Sequence, residues 1–291
     1  MTSVVIAAHN EAAVIGGLLT ALTKNRGEGD FDIVVVCNGC SDDTADIARS
    51  FGSPVRVAET EVASKPHALN LGDEIARGFP RIYVDADILV NSDIIMALAG
   101  ALQSGQFLAA GVSPQIDTCG CSAGVKAFYA IKDKLPSSRE GIAGSGLYAL
   151  SEAGRARFGR FPDIVSEDLF IRLLFKETER TTLPGLHSVV FAAKNVRALM
   201  IQRTRSSFGS GQLARLYPKL LENNAASNNK ALLALFKKPS LWLKLSTYVY
   251  VTLKARQAAR RLAREAAYVW AREQTSRMKR DPSINIPREA N

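Results

Sequence analysis

The chain has 291 residues, of which 47% are hydrophobic, and a net charge of +9. This composition excludes an intrinsically disordered chain, and the length allows one large domain or two smaller ones. The charge is divided unevenly: residues 1–190 carry 17 Lys and Arg against 23 Asp and Glu, whereas residues 191–291 carry 20 against 5. We therefore expect the two parts to have different roles.

The four cysteines favour reduced thiols. Cys37 with Cys40 and Cys119 with Cys121 have spacings that could form a zinc site. Cys37 ends an apolar strand-like run without a nearby histidine, so structural thiols in a reducing cytoplasm are the preferred interpretation. Residues 2–8 have no basic segment before them and are interpreted as a strand, not a signal peptide. A cytoplasmic protein is expected.

Short runs rich in β-branched residues alternate with helical patterns in the first 90 residues. The predicted strands are residues 3–8, 33–37, 55–58 and 82–84. Apolar residues at helical spacing predict a helix over residues 14–22 after a capping Asn10, and a second helix capped by Ser41. This alternation predicts βαβ units and a mainly parallel sheet, in which ligands bind at the carboxyl ends of the strands.

The fourth of these strands leads into two carboxylates. Asp85 and Asp87 are two residues apart, so they point the same way from an extended chain. Mg²⁺ or Mn²⁺ prefers oxygen ligands, and Mg²⁺ is typically held by one or two carboxylates and by substrate phosphates. A metal-bound diphosphate is the first hypothesis. The alternative is that two exposed aspartates merely end a strand.

Beyond residue 106 the pattern changes. It predicts a strand at residues 107–112, a glycine-rich segment at 141–150 and a helix near 166–175. Ser166 is expected to cap this helix, with Glu167 and Asp168 in its first turn. Taken alone, these two acids are also explained by a favourable interaction with the helix dipole.

The basic C-terminal part predicts one or two long helices over residues 240–275, which contain no proline or glycine. Lys244 and Lys254 bracket only nine residues, which is too short for a membrane span. Aromatic residues such as Trp242 and Trp270, with basic residues around them, favour a helix on an anionic membrane surface. An ordinary helix packed on the domain is the alternative. No nucleic-acid partner is expected, since no recognisable nucleic-acid module accompanies the charge.

Together, and in this order, the motifs resemble those of family 2 glycosyltransferases, whose nucleotide-sugar-binding fold is called GT-A. The resemblance covers about residues 2–210. It implies an α/β fold with a central, mainly parallel mixed sheet flanked by helices. We expect a glycosyltransferase domain over residues 1–210, with a nucleotide-binding half up to about 105 and an acceptor half after it, followed by a basic helical extension over 211–291.

In the nucleotide-binding half, residues 7–11 resemble the family's P-x-x-N-E, with Ala7 in place of proline. Asn38 occupies the position of an aspartate that reads the uracil base in the family's D-G-S-x-D-x-T pattern. An amide can donate a hydrogen bond as well as accept one, whereas a carboxylate only accepts. The sugar donor therefore need not be a uridine diphosphate sugar. Lys65 opens a segment similar to K-x-x-A-x-N-x-G. The resemblance implies nucleotide contacts by the following residues: Ala8, His9, Asn10, Glu11, Asn38, Lys65 and Asp85.

The remaining motifs imply the chemistry. Asp85 and Asp87 match the metal-binding D-x-D, with Asp87 as the direct ligand of Mg²⁺ or Mn²⁺ and Asp85 near the ribose or metal. Glu167 and Asp168 match the family's E-D, which makes Asp168 the catalytic base. Residues 202–206 resemble Q-x-x-R-W and place Arg203 and Arg205 at the diphosphate. Ser206 replaces the tryptophan on which a sugar ring could stack, so a processive enzyme is not expected.

The resemblance therefore implies an inverting, metal-dependent transfer of a sugar from a nucleoside-diphosphate sugar to an acceptor hydroxyl, in cell-envelope glycan or glycolipid synthesis. The acceptor is unidentified. The C-terminal part suggests a lipid-linked one, and a protein lying peripherally on the inner face of the membrane. The alternative is a catalytically inactive GT-A-like module that binds nucleotide sugars or acts as a scaffold at the membrane surface. The full set of acids, Asp85, Asp87, Glu167 and Asp168, argues against it.

Overall fold

The computed structural model describes residues 1–24, 30–224 and 228–265 and residue 275. Within these residues, eight strands form one mixed sheet in the order β3-β2-β1-β4-β7-β6-β8-β5. The strands are β1 Thr2–Ala8, β2 Phe31–Asn38, β3 Val55–Thr60, β4 Arg81–Asp85, β5 Ile88–Leu89, β6 Ala109–Asp117, β7 Leu147–Leu150 and β8 Arg180–Phe191. Strand β1 is parallel to β2 and β4, and β2 to β3, whereas β7 runs antiparallel between β4 and β6.

Helices flank the sheet, and further helices follow it at the C-terminal end of the described chain. This confirms the predicted α/β architecture and its helical C-terminal extension. The helices are α1 Ile15–Thr23, α2 Thr44–Arg49, α3 Lys65–Ile75, α4 Ser92–Gln103, α5 Ala123–Lys132, α6 Glu152–Arg155, α7 Glu167–Leu174, α8 Val196–Leu216, α9 Asn229–Phe236 and α10 Trp242–Arg264. The boundary expected at residue 210 falls inside α8. Trp270 and the rest of the helix expected after Arg264 lie outside the described residues, apart from residue 275.

The central strands are buried on both faces because helices cover both sides of the sheet. Val4 and Ile6 belong to a core that includes residues of α1 and α4. Val5, between them in sequence, points to the opposite face and shares a core with Leu69 of α3. Gly72 lets α3 approach this face, since a Cβ there would lie 2.4 Å from Val5 Cγ1. All eight residues of β2 are buried, as expected for a parallel strand inside a sheet.

The predicted helix caps are wrong at Asn10 and Ser41 and incomplete at Ser166. Helix α1 begins only at Ile15, and Asn10 instead adopts a left-handed backbone (φ 51°) in which its Oδ1 accepts the N–H of Ser41 at 2.7 Å. Asp42, not Ser41, accepts a hydrogen bond from the first residue of α2. Ser166 occupies the N-cap of α7, but its side chain forms no capping hydrogen bond. Tertiary contacts therefore decide where these polar side chains bind.

The C-terminal helices are part of the packed structure. Val251 of α10 shares a core with Val125 and Phe128 of α5 and with Leu199 of α8. A second cluster joins Leu245 of α10 to the end of α5 and to α9. The basic extension thus packs against α5 and α8 through one face of α10. In the described part of the chain, no helix is both long and apolar enough to cross a membrane.

Candidate active site

The four predicted acids meet in one cavity. Asp85, Asp87, Glu167 and Asp168 all line a cleft of about 500 Å³. Asp85 ends β4, Asp87 follows it by two residues, and the other two acids open α7. The cleft is therefore built from the carboxyl end of a central strand and from the beginning of a helix, where polar side chains can converge without disturbing the core.

Lys65 connects two of these acids. It opens α3, whose preceding Ser64 accepts a hydrogen bond from the His67 N–H. The Lys65 Nζ lies 2.5 Å from Asp85 Oδ1 and also forms an ion pair with Glu167, whose side chain is only 4% exposed. The ammonium thus compensates a buried carboxylate and a partly exposed one at the same time.

Burial and mutual repulsion set the acidity of the cluster. Burial raises the pKa of Asp85 above its ordinary value; Lys65 opposes this rise, and the charges of Asp87 and Asp168 add to it. Burial also raises the pKa of Glu167, again against the effect of Lys65. Burial lowers the pKa of Lys65, but its carboxylate neighbours outweigh that effect and raise it. The site therefore carries more negative charge than one lysine compensates.

Two glycines bring Asp168 towards β4. Gly144 and Gly146 have positive φ angles of 78° and 69°, which glycine adopts without strain. The N–H of Gly144 donates to Asp168 Oδ2 at 2.8 Å, and the carbonyl of Gly146 accepts the N–H of Asp85 at 2.7 Å. Asp168 Oδ1 accepts the N–H of Leu169 at 2.7 Å. The carboxylate of Asp168 is thus held in orientation by backbone donors.

The carboxylate oxygens of the cleft suit a hard divalent cation whose remaining ligands do not come from the protein. Among the described residues, no group of three or more His, Cys, Asp and Glu could hold a metal ion. Asp87 and Asp85 are close enough for their charges to interact, and both line the cavity. A pair of carboxylates fits Mg²⁺ or Mn²⁺ when substrate phosphates complete the coordination.

Helix α8 closes the other side of the cleft with positive charge. Arg203 and Arg205 line the cavity beside Gln202 and Ser206. Neither arginine forms an ion pair with another described residue, and the ion pairs within the cleft are those of Lys65 with Asp85 and Glu167. Both guanidinium groups therefore remain available to an anionic ligand.

The residues expected at the nucleotide base form a second group, which does not line this cleft within the described structure. His9 Nδ1 lies 2.5 Å from the carbonyl oxygen of Asn38, and the Asn38 side-chain amide donates to the Ala8 carbonyl at 2.9 Å. The N–H of Glu11 donates to Thr44 Oγ1 at 2.7 Å, and the N–H of Asn10 to Cys40 Sγ at 3.3 Å. These residues occupy the adjacent tips of β1 and β2.

Contact between Gly39 and Ala63 links the two groups. A Cβ at Gly39 would lie 2.8 Å from Ala63 Cβ, and Ala63 lines the acidic cleft two residues before Lys65. The residues at the tips of β1 and β2 and the acidic cleft are therefore neighbours at one edge of the sheet, where the parallel strands end.

Sequence reasoning missed several residues of the cleft. Tyr129 and Lys132 reach it from α5, and Gln212 reaches it from α8. The glycine-rich segment at 141–150 was recognised, and its Gly-x-Gly spacing is the signal that could have indicated a tight turn. Lys132 had no such signal, because only the packing of α5 against α8 and α10 brings it there.

Comparisons with known proteins agree with this architecture. A family model described as Glycosyl transferase family 2 matches residues 3–127, which include Lys65, Asp85 and Asp87. A search of curated proteins gave no match.

Several solved structures share the fold. A mannosyltransferase, PcManGT from Pyrobaculum calidifontis, in complex with GDP-Man and Mn²⁺, has 21% identity and a TM-score of 0.59 over 91% of this chain and 79% of that one. Residues 1–349 of S. aureus TarS with UDP-GlcNAc give 12% identity and a TM-score of 0.52 over 92% of each chain. Glucosyl-3-phosphoglycerate synthase from Mycobacterium tuberculosis with Mn²⁺ and UDP-Glc gives 21% and 0.52 over 74% and 78%.

At these identities the likeness to solved structures shows the fold alone, and the sequence match is confined to residues 3–127, which is less than half of the chain. The mixed sheet and its flanking helices correspond to the GT-A architecture of these neighbours. The chain therefore has the GT-A fold, and its residues 3–127 match the model of family 2 glycosyltransferases.

Proposed function

We propose that this enzyme transfers a sugar from a nucleoside-diphosphate sugar to an acceptor hydroxyl with inversion at the anomeric carbon. The observation that supports the proposal most strongly is the convergence of Asp85, Asp87, Glu167 and Asp168 in one cavity of about 500 Å³. The structural neighbours hold GDP-Man, UDP-GlcNAc or UDP-Glc, two of them together with Mn²⁺. A donor of this class fits a cleft that has carboxylates on one side and free arginines on the other.

Asp87 and Asp85 would hold a divalent cation, which when bound acts as a Lewis acid on the diphosphate leaving group. Arg203 and Arg205 supply further positive charge from α8 to the same diphosphate. Lys65 is already paired with Asp85 and Glu167. Its role is therefore to hold these carboxylates in place while contributing charge near the phosphates.

Asp168 acts as the base. The acceptor oxygen forms a bond to the anomeric carbon while the bond from that carbon to the diphosphate oxygen breaks. The electron pair leaves with the diphosphate, and the hydroxyl proton moves to Asp168. A single displacement with a single base inverts the anomeric centre, whereas a retaining mechanism needs a second covalent step. The Gly144 N–H orients the carboxylate for this role.

Substitution of Asp168 by Asn tests this assignment. We expect Asp168→Asn to bind nucleotide sugars as the wild type does but to lose transfer by about 10²- to 10⁴-fold, since general-base catalysis has this typical magnitude. The measurement is nucleoside-diphosphate release from GDP-Man, UDP-GlcNAc and UDP-Glc with Mn²⁺, together with calorimetric donor binding.

Asp163→Asn is the matched control, because Asp163 lines the same cavity and undergoes the same change of charge. Near-normal transfer by Asp168→Asn would exclude Asp168 as the base. Donor binding without any nucleotide release by the wild-type enzyme would favour the inactive binding module.

We also propose that the C-terminal extension rests on an anionic membrane surface, which would place the enzyme peripherally at the membrane and suit synthesis of cell-envelope glycans or glycolipids. The supporting observation is a patch of exposed apolar residues on α9 and α10 that alternates with lysines. Its members are Leu233, Phe236, Trp242 and Leu243 with Lys237, Lys238 and Lys244. Apolar side chains that enter the lipid boundary beside cations that meet anionic headgroups are typical of interfacial helices.

A further inference from the structure

A second cavity continues from the active-site cleft between α5, α8 and α10. This basic groove, as we name it, encloses about 260 Å³, and its cations are Lys132, Arg203 and Arg256. It shares Lys132, Arg203 and Ser206 with the active-site cleft. Arg256 in turn also lines a cavity of about 570 Å³ that contains Arg215. A path lined by positive charge thus leads away from the catalytic acids.

The charge of the groove is not compensated. Among the described residues, no Asp or Glu lines the groove, although five acids line the cleft next to it. Lys132, Arg203 and Arg256 form no ion pair with any described carboxylate. Burial and the charge of Arg203 lower the pKa of Lys132 to about 7, against the smaller effect of Asp133. Like charges held close together without counter-charges are unfavourable unless an anion binds between them.

The groove is built mainly from packed helices, and the segments between them contribute Leu135, Ser137 and Asn228. Lys132 Nζ lies 5.4 Å from the ring centroid of Tyr129, and the Arg203 guanidinium lies 5.9 Å from that of Phe128. The Phe128 ring stacks on Tyr248 of α10 at 5.1 Å. Aromatic rings from two helices therefore support the cations, so the anion site is formed before its ligand arrives.

Ser206 opens the passage between the cleft and the groove. Its side chain lines both cavities, and it stands where the resembling family motif has a tryptophan. A small hydroxyl leaves space that an indole ring would fill. One ligand can therefore occupy both cavities, with one end near Asp168 and the other among the cations.

We propose that the acceptor carries a phosphate group, which binds Lys132 and Arg256 in the groove while its hydroxyl lies at Asp168. This inference rests on the transfer reaction proposed above and names the chemical class of its acceptor. Guanidinium groups bind phosphate oxygens in pairs and a lysine adds a compact charge, so this set favours a phosphate over a neutral sugar. The phosphate can belong to a lipid headgroup or to a free phosphorylated compound.

Binding of defined phosphate probes to the full chain tests the proposal. The probes are decyl phosphate, which represents a lipid-borne phosphate, and glycerol 3-phosphate, which represents a free one; decanol and glycerol are their uncharged counterparts. We expect the phosphates to bind and the uncharged compounds not to bind. Arg256→Gln should weaken phosphate binding about tenfold or more, because it removes a hydrogen bond to a charged group. Lys132→Gln should act in the same direction.

Two substitutions serve as matched controls. Lys126→Gln changes an exposed lysine on α5, and Arg264→Gln changes an exposed arginine on α10, and neither residue lines the groove. Both should bind the probes as the wild type does. Tighter binding of decyl phosphate than of glycerol 3-phosphate assigns the site to a lipid-borne phosphate, and the reverse order assigns it to a free one.

The two proposals fail in different ways. If donor turnover is present but Arg256→Gln and Lys132→Gln bind both phosphates as tightly as the wild type, the phosphate-bearing acceptor is wrong and the transfer reaction stands. If the phosphates bind in the groove but no donor is turned over, the groove stands as an anion site and the proposed reaction fails.

Discussion

Lys65 determines the electrostatics of the candidate active site. Its ammonium is paired with Asp85 and Glu167 at the same time, and the Glu167 carboxylate is almost fully buried. Removing one partner of a buried pair leaves an uncompensated charge, which typically costs about 3–5 kcal/mol. A residue predicted only as a nucleotide contact is therefore also a structural support of the catalytic acids.

A pH-dependent loss of stability follows from this pairing. Burial already raises the pKa of Glu167, and Lys65 opposes that rise, so Lys65→Met should raise it further. A carboxyl group whose pKa is higher in the folded state stabilises the fold while it is protonated, and this contribution is lost as pH rises through the folded-state pKa. We expect Lys65→Met to lose about 3–5 kcal/mol at pH 8 and clearly less at pH 5, measured by urea unfolding.

The controls separate charge from packing. Lys126→Met changes an exposed lysine and should have little effect at either pH. Addition of Glu167→Gln to Lys65→Met should recover part of the loss at pH 8, because the unpaired charge is then absent. Equal losses at pH 5 and pH 8 would show that Lys65 does not compensate Glu167.

The site residues carried by motifs were predictable, whereas those brought in by packing were not. Asp85, Asp87 and Asp168 stand beside recognisable strand and helix signals, and the structure places all three in one cleft. Their individual roles stay predictions. Lys132 ends an ordinary amphipathic helix, and its approach to Arg203 depends on how α5, α8 and α10 pack. No local pattern encodes that approach.

At the level of secondary structure, the strands of the first 90 residues were predicted better than the later ones. The β-branched run at residues 33–37 lies within β2, which extends from Phe31 to Asn38. Strand β8 was not predicted; it contains Pro184 and Gly185, and its pairing with β6 is irregular at Val112. Proline and glycine normally end a strand pattern, so only pairing with β6 and β5 explains this element.

Helix α10 combines both interpretations that its sequence allowed. One face packs on α5 and α8 through residues such as Leu245 and Val251. The opposite face exposes Trp242, Leu243 and Tyr250, and Leu243 is 81% exposed. The helix is therefore a structural part of the enzyme that also presents an apolar surface. Removing it would expose the core that it covers, so single substitutions are the cleaner test of its surface role.

Substitution of Leu243 by Asp tests the proposed membrane surface. We expect the wild-type protein to bind phosphatidylserine-containing vesicles. Leu243→Asp should bind them at least about tenfold more weakly. The variant loses an inserted apolar side chain and gains a charge that anionic lipids repel. Vesicle co-sedimentation provides the measurement.

Met96→Asp is the matched control, because Met96 is exposed on α4, outside the C-terminal helices, and should leave vesicle binding unchanged. Vesicles of phosphatidylcholine alone should bind the wild type weakly. Equal binding of Leu243→Asp and the wild type to anionic vesicles would contradict the membrane proposal.

Across the whole molecule, the uneven charge of the chain corresponds to a division of tasks. The acidic first part supplies the carboxylates of the cleft, and the basic last part supplies Arg203 and Arg205 on α8 and Arg256 on α10. Helix α8 brings the two parts together at one cleft. In the reaction proposed above, a donor diphosphate and an anionic acceptor both require cations, which would account for the positive charge beside the acids of the cleft.

The central claim is that Asp87 and its neighbours hold a divalent cation against the diphosphate of a donor. Calorimetric titration of GDP-Man, UDP-GlcNAc and UDP-Glc with and without Mn²⁺ tests it most directly, with Asp87→Ala compared with Asp46→Ala, an exposed aspartate on α2. We expect Mn²⁺ to strengthen binding of at least one donor in the wild type and in Asp46→Ala, and to have no such effect in Asp87→Ala. Mn²⁺-dependent binding that survives in Asp87→Ala would contradict the account.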